Sequence, residues 1–431
     1  MTGRRYLLAV LLALPLVAAV LFVAGRGQIA APASAAVARK PDDNSGMLNW
    51  KKVAAGTHRT IFQNKQFKVT GTCVDNGGGN FTAEAFFSTK QDHASYFDTG
   101  AGTSDLDFNR SDGPVGFNLY PAGGTSADFQ AYDYYDEMYA ESAGGQVLIA
   151  RIASGVHVFG GDCTFSGLFQ DGKTATPPLD RKSVAAGTSA TLFDGKEFKV
   201  VGDCVDNGGG NYSAQAFLIT KQDNAMWQYA SSPATGDLDF DTADAPVPFP
   251  YPATGTGSQF VAWDYYDEIV AIGADGKMLI ARVATGVHRS VDCTFSGLFT
   301  DSRNDFTRDM SLVPAGTTKV LWDDSQFQVL GTCIDNGGGD FTAQAYLVTK
   351  NDGAMYFVSN VGAPVFGFDS FDPPAAFDGY PASGTSPELI AWDYYSEVYA
   401  TAASGRALIA RVITSVHVLG GDCGFAGRFQ D

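Results

Sequence analysis

Close cysteine pairs are missing from this chain. Six cysteines are spread over 431 residues and no C-x-x-C occurs, which removes the usual spacing of a structural zinc site. Positive charge is scarce. Lys and Arg number 29 against 47 Asp and Glu, a formal net charge of −18. A surface that acidic repels nucleic acid and anionic lipid, and favours solubility or cation binding. Helical periodicity is absent over any useful length, which argues against an α-rich fold. No helix or lysine follows the glycine-rich turns as in a P-loop, so phosphate cradling of that type is not expected. No serine or cysteine nucleophile stands out beside a histidine.

What is present is repetition. Near copies of one segment begin at Thr72 (TCVDNGGGNFTAEAFFSTKQD), Asp203 (DCVDNGGGNYSAQAFLITKQD) and Thr332 (TCIDNGGGDFTAQAYLVTKND). A second block closes each unit: LIARIASGVHVFGGDCTFSGLF, LIARVATGVHRSVDCTFSGLF and LIARVITSVHVLGGDCGFAGRF. A period of roughly 130 residues suits whole domains rather than a solenoid. Hydrophobic residues make up 45% of the chain, enough for each unit to bury a core despite 50 glycines. The expected division is 1–35 as a signal peptide or N-terminal membrane anchor, and 36–47 as a tether. Repeats follow at 48–171, 183–301 and 310–431, with linkers at 172–182 and 302–309.

Arg4 and Arg5 precede the apolar run Tyr6–Ala24, and Ala33-Ser34-Ala35 supplies a small-residue cleavage site. The run is near the minimum for a bilayer span, so an uncleaved anchor is the alternative. In both cases the repeats face outward. The cysteines agree with that location. Each repeat holds one pair at nearly constant separation. Of the 15 possible connectivities, the within-repeat set is Cys73–Cys163, Cys204–Cys293 and Cys333–Cys423. Such bridges persist in oxidising compartments, and each is worth about 4–5 kcal/mol by loop-closure entropy.

The units read as all-β, three tandem disulfide-stapled antiparallel β-sandwiches of immunoglobulin-like or jelly-roll-like type. Phe67, Val69 and Cys73 share one strand face at period two, as do Cys163, Phe165 and Phe169 in the last strand. The disulfide then joins the second strand of each unit to its last. A hairpin before the last strand is expected to turn on two residues, Asp275-Gly276, with Ala274 facing Lys277. That register sets His288 opposite Trp263, His157 opposite Tyr132 and His417 opposite Trp392. The stretch from Gln91 to Asp128 is too long for a structural loop, and either is functional or hides a strand.

Five patterns are candidate sites. The D-N-G-G-G turns at 75–79, 206–210 and 335–339 fit a tight hairpin or a ligand-cradling loop, because glycine allows positive φ and close approach. The acid pairs Asp133/Glu137, Asp264/Glu268 and Asp393/Glu397 meet the minimum for glycosidase chemistry. The expectation is that they are structural, sharing a face with Ala150, Ile152 and Val156. Their expected partners are Lys90, Lys221, Lys350 and the tyrosines at 135, 266 and 395; Arg151 is ranked lower because the register puts it on the opposite face. His157, His288 and His417 are expected to stack on an aromatic. Asp105, Asp107 and Asn109, with Asp237, Asp239 and Asp241, resemble the start of a calcium loop. Calcium is the one cofactor with any such pattern. The recurring aromatics Tyr96-Phe97, Trp227, Tyr229 and Tyr356-Phe357, and Tyr120, Tyr251 and Tyr380 beside prolines, read as core plugs or stacking platforms.

The C-x-D-N-G-G-G block, the late G-V-H-V…D-C block and the unit size resemble uncharacterised secreted repeat proteins of bacteria, over residues 48–431. The resemblance implies a secreted β-domain protein and assigns no activity. The expected function is non-catalytic: binding or structure at the cell surface or in the secretome, with a polysaccharide or protein ligand. No nucleic acid partner is expected, and a membrane only through the N-terminal segment. A carbohydrate-binding array is the alternative, and a glycoside hydrolase using the acid pairs is the alternative from another class.

Overall fold

In the computed structural model the described residues are 47–98, 103–130, 137–174, 178–230, 232–261, 268–289, 291–301, 307–358, 364–377, 381–391 and 397–430. The segment 1–35 and all but the last residue of the tether lie outside them. So do Asp133, Asp264, Asp393 and the tyrosines at 132, 135, 266, 380 and 395. Among the described residues no helix is long and apolar enough to cross a membrane.

Every regular element described is a strand. Unit one contains β1 (Met47–Val53), β2 (His58–Gln63), β3 (Phe67–Asp75), β4 (Phe81–Thr89), β5 (Ala94–Asp98), β6 (Ser104–Phe108), β7 (Val115–Gly124), β8 (Asp128–Gln130), β9 (Glu137–Glu141), β10 (Val147–Val156) and β11 (Cys163–Gln170). The large sheet has the order β1-β11-β10-β9-β5-β6, with β8 also on β10; the small one is β2-β3-β4-β7. All pairings are antiparallel. Units two and three repeat this plan, with the counterpart of β7 split into two short strands. The stretch from Gln91 to Asp128 therefore holds three strands, β5, β6 and β7.

Each unit is a two-layer sandwich. Along β3 and β4 buried and half-exposed residues alternate, as a sheet with one wet face requires. Phe67, Val69, Cys73, Phe87, Phe165 and Phe169 meet in one core, and the other units have equivalent cores. The three within-repeat disulfides form, with Cα–Cα distances of 5.5, 5.6 and 5.6 Å. Each staples the small sheet to the large one. The first member lies on the third strand of its unit rather than the second, because two strands precede it. Two residues before the staple, on the same strand face, close packing demands glycine. A Cβ on Gly71 would stand 2.6 Å from Ile61 and 2.7 Å from the Phe165 ring. Gly202 and Gly331 face Phe295 and Phe425 in the same way.

The late hairpin differs from the two-residue turn. Gly273 N–H donates to Lys277 O at 2.8 Å, and Gly276 N–H to Gly273 O at 2.8 Å, with Gly276 at φ 82°. This is a three-residue loop closed by a glycine in the left-handed region. Gly145 and Gly405 do the same in the other units. The extra residue shifts the register by one, and a one-residue shift moves every side chain to the other face. Glu137 is thereby the direct cross-strand partner of Arg151, and Glu397 of Arg411.

In β10 and β11 every residue is buried, on both faces. One face covers the unit's own core. The other covers a neighbouring unit. Tyr139, Val147 and Ile149 of unit one pack on Phe260, Ala284 and Leu298 of unit two. Val270, Ile272 and Met278 of unit two pack on Leu389, Ile413 and Ala426 of unit three. Tyr399, Ala407 and Ile409 of unit three pack on Phe129, Ala153 and Leu168 of unit one. The contact is heterologous and closes after three steps, which generates a pseudo-threefold ring. Residues 43–431 form one compact body. Few contacts across the joints were to be expected of linkers; instead Arg181 N–H donates to Gly145 O at 3.0 Å and Met310 N–H to Gly276 O at 2.9 Å, tying each unit's first strand to the preceding hairpin.

Candidate functional site

Two thrice-repeated features are candidates, one on the axis and one on the surface. The axial feature starts from a strand such as LIARIASGV, whose central arginine is flanked by apolar residues of both parities. The corrected register sends Ala150, Ile152 and Val156 into the unit's own core and Glu137 with Arg151 to the opposite face, toward the other units. There each arginine joins two units. Arg151 donates from Nε to Glu137 Oε2 at 2.5 Å and from Nη1 to Glu397 Oε2 at 3.1 Å. Arg282 donates to Glu268 at 2.5 Å and to Glu137 at 3.1 Å. Arg411 donates to Glu397, and to Glu268 at 3.3 Å. Three carboxylates and three guanidiniums alternate in a closed ring. Glu268 is 1% exposed and Arg282 3%. Burial pushes the Glu397 carboxyl up, but Arg411 and Arg151 outweigh it and hold it below its ordinary value.

This overturns the expected lysine partners and the low rank given to Arg151; the tyrosines at 135, 266 and 395 lie outside the described residues. Lys90 donates to Asn64 O at 2.7 Å and Lys221 to Gly195 O at 2.6 Å, and Lys350 pairs with Asp323 and with Asp324 O, all in the β2–β3 hairpin or its counterparts. None reaches the glutamates. The arginines do, because the register puts them on the shared face.

The interfaces around the ring are matched residue by residue. A buried tyrosine hydroxyl needs a partner. Tyr139 of unit one bonds Ser296 of unit two, and Tyr399 of unit three bonds Ser166 of unit one at 3.0 Å. Where unit two has Val270 in place of tyrosine, unit three has Ala426 in place of serine. Hydroxyl and partner disappear together at the one joint that lacks them. Burial pushes the Tyr399 hydroxyl up to about 12, so it stays a neutral donor.

The surface feature is the D-N-G-G-G tip. Asp75 Oδ1 accepts from Gly77 N–H at 2.9 Å, and Asn76 Nδ2 donates to Thr82 Oγ1 at 2.8 Å. Gly77, Gly78 and Gly79 all lie at positive φ, with open space where a Cβ would be. Units two and three repeat these bonds. The late histidine buttresses the tip. His157 Nε2 lies 2.8 Å from Gly79 O, and His417 Nε2 2.9 Å from Gly339 O and 3.2 Å from Gly384 O. His288 Nε2 lies 3.0 Å from Gly255 O, on the adjoining loop. The histidine–aromatic stack exists with a different aromatic. His157, His288 and His417 lie on Phe81, Tyr212 and Phe341 at 4.9, 4.8 and 4.9 Å. Each histidine sits just past its strand at a φ of 53–54°, which turns the ring onto the β4 side; the expected partners Tyr132, Trp263 and Trp392 lie outside the described residues.

The acidic loops serve as turn caps. Asn109 Oδ1 accepts from His93 N–H at 2.9 Å, Asp241 Oδ1 from Asn224 N–H at 2.8 Å and Asp369 Oδ1 from Gly353 N–H at 2.7 Å. This explains why the third position keeps a capping side chain in unit three while the first two do not. Asp105 and Asp237 accept from the backbone two residues on, and Asp107 lies 2.7 Å from His93 Nδ1. Among the described residues no three His, Cys, Asp or Glu side chains are grouped to hold a metal ion. The aromatics Tyr96, Trp227 and Tyr356 pack against the unit cores, Phe97 and Phe357 join the unit interfaces, and Tyr251 is exposed.

No protein-family model and no curated protein matches this chain. Among solved structures, the crystal structure of the WD40 domain of SCAP from fission yeast pairs with it at 7% identity, over 86% of this chain and 90% of that one, with a TM-score of 0.09. A likeness at that score carries no argument.

Proposed function

We propose that this protein is a non-catalytic extracellular binding protein that presents three equivalent loop clusters from one rigid body. The observation that carries the reading is the thrice-repeated exposed D-N-G-G-G tip, held open at positive φ in every unit and propped by a histidine in units one and three. Cyclic closure of the units puts the three tips at matching positions around one axis. A polymer or a repeating surface could be engaged at three points, and linkage then multiplies a weak single-site affinity. The ligand class is an extracellular polysaccharide or protein. Three disulfides accord with an oxidising, extracellular setting, and the N-terminal segment would export or tether the body.

The hydrolase alternative loses support from the same structure. Glu137, Glu268 and Glu397 are each held by two arginines inside the body, where no glycan reaches them. A polysaccharide and glycan array, probed with the full chain, tests the reading. Gly78→Arg, Gly209→Arg and Gly338→Arg disable one, two or all three tips, since each side chain projects into open space and strains a turn held at positive φ. Binding should fall at each step and vanish with the third. Binding that survives the triple variant, or hydrolysis of an array polysaccharide, would refute it.

A further inference from the structure

The ring balances three carboxylates against three guanidiniums, yet a fourth guanidinium lies beside it. Arg428 occupies the last strand of unit three, directly across from Arg411, and is 6% exposed. The corresponding residues of units one and two are Leu168 and Leu298, so the charge is peculiar to one copy. Like charges directly opposite each other on a sheet are unfavourable. The Nε and Nη2 atoms of Arg428 are buried and have no hydrogen-bond partner among the described residues. Burial and the nearby arginines push it down to about 9, so it is still a cation at neutral pH. A buried cation is costly unless an anion compensates it.

A small cavity lies against this side chain. Arg428, Gln170, Gln430, Leu168 and Ile409 line it together with the ring, and it offers about 10 Å³, roughly the space of a single water. The lining carries four guanidiniums, Arg151, Arg282, Arg411 and Arg428, against the single carboxylate of Glu397, with two carboxamides, and this excess of positive charge in so small a space suits a monatomic anion. Sulfate, phosphate and carboxylates are too large for it.

We propose that this cavity is a halide site, in which one chloride ion is held by Arg428 and the side-chain amides of Gln170 and Gln430. The ion neutralises the surplus guanidinium and fastens unit three to unit one beside the axis. Chloride is thereby a structural ligand, bound only when the three units are closed.

The test is thermal unfolding of the full chain in sodium chloride against sodium gluconate at constant ionic strength. A ligand bound only by the folded state raises the melting temperature with the logarithm of its concentration. The expected rise is about 1–3 °C between about 10 and 300 mM chloride. Arg428→Leu installs the residue of the other two units. It should abolish the chloride dependence and raise the melting temperature in gluconate. Crystals of the wild-type chain grown in sodium bromide should show an anomalous peak beside Arg428, which decides the matter if the variant fails to fold. Equal melting temperatures in the two salts, an unchanged chloride dependence in Arg428→Leu, or no bromide at Arg428 would each overturn the proposal.

Discussion

Glu268→Gln removes one negative charge from the axial ring and leaves the side-chain volume almost unchanged. Glu268 accepts from Arg282 of its own unit and from Arg411 of the next. After the change Arg282 and Arg411 face a neutral amide whose N–H groups cannot accept. Removing one partner of a buried ion pair costs about 3–5 kcal/mol, and the lower end applies here because the glutamine oxygen can still accept one bond. The size of the thermal shift depends on how much of the chain melts together. At about 2.1 cal/mol/K per residue, the body spanning Asp43–Asp431 unfolds with an entropy of about 0.8 kcal/mol/K, so the melting temperature should fall by about 4 °C. Were unit two melting alone, the same loss would act on about a third of that entropy and move one transition by about 12 °C. Scanning calorimetry separates the cases. The account predicts a single transition, displaced whole. A split thermogram with only a third of the heat displaced, or no displacement, would refute the reasoning.

Other outcomes follow from the same contacts. Ser296→Ala removes one buried hydrogen bond of Tyr139 and should cost about 0.5–1.5 kcal/mol in denaturant titration, whereas Ala426→Ser, facing Val270, should gain nothing. Gly202→Ala forces a methyl to 2.9 Å from the Phe295 ring and should destabilise by about 1–3 kcal/mol. Glu397 is held below its ordinary value of 4.5, so its folded form binds a proton less readily than the unfolded chain. Its contribution is present above pH 4.5 and is lost as pH falls through the lowered folded value; acid unfolding of Glu397→Gln should be correspondingly less steep. Calcium should leave the melting temperature unchanged, because Asp105, Asp107 and Asn109 are occupied as turn caps; a rise abolished by Asp105→Asn would restore them as ligands.

Much of the fold is written in local pattern. Period two in Phe67–Cys73 and Cys163–Phe169, one cysteine pair per copy and glycine-rich turns lead to stapled sandwiches without reference to any other residue. The closure of the three units was harder to read because it depends on register. One extra residue in the Gly273–Lys277 loop reverses the faces of the hairpin, and a turn containing Asp-Gly does not declare whether two residues or three project. The signal was nonetheless there in β10. A strand apolar at both parities, with Leu148 and Ala150 on one face and Val147 and Ile149 on the other, is buried on both sides. The second face of such a strand needs a cover, and in an antiparallel sandwich only another unit can supply it. The tyrosine–serine matching at 139 and 296, and at 399 and 166, with valine and alanine at 270 and 426, carries the same message. It becomes readable only when the order of contact around the ring is known. The tips, by contrast, were legible as turns, but the stacking of their histidines on Phe81, Tyr212 and Phe341 was not, because it follows from a positive φ just past the strand that period-two pairing does not reveal.

Small-angle X-ray scattering on residues 43–431 tests most directly whether the three repeats close into one body. A compact chain of that length should have a radius of gyration of about 21 Å, with a symmetric pair-distance distribution. A radius well above about 30 Å, with a long tail in the distribution, would mean independent units on linkers, and would contradict the ring, the matched interfaces and the three-point display together.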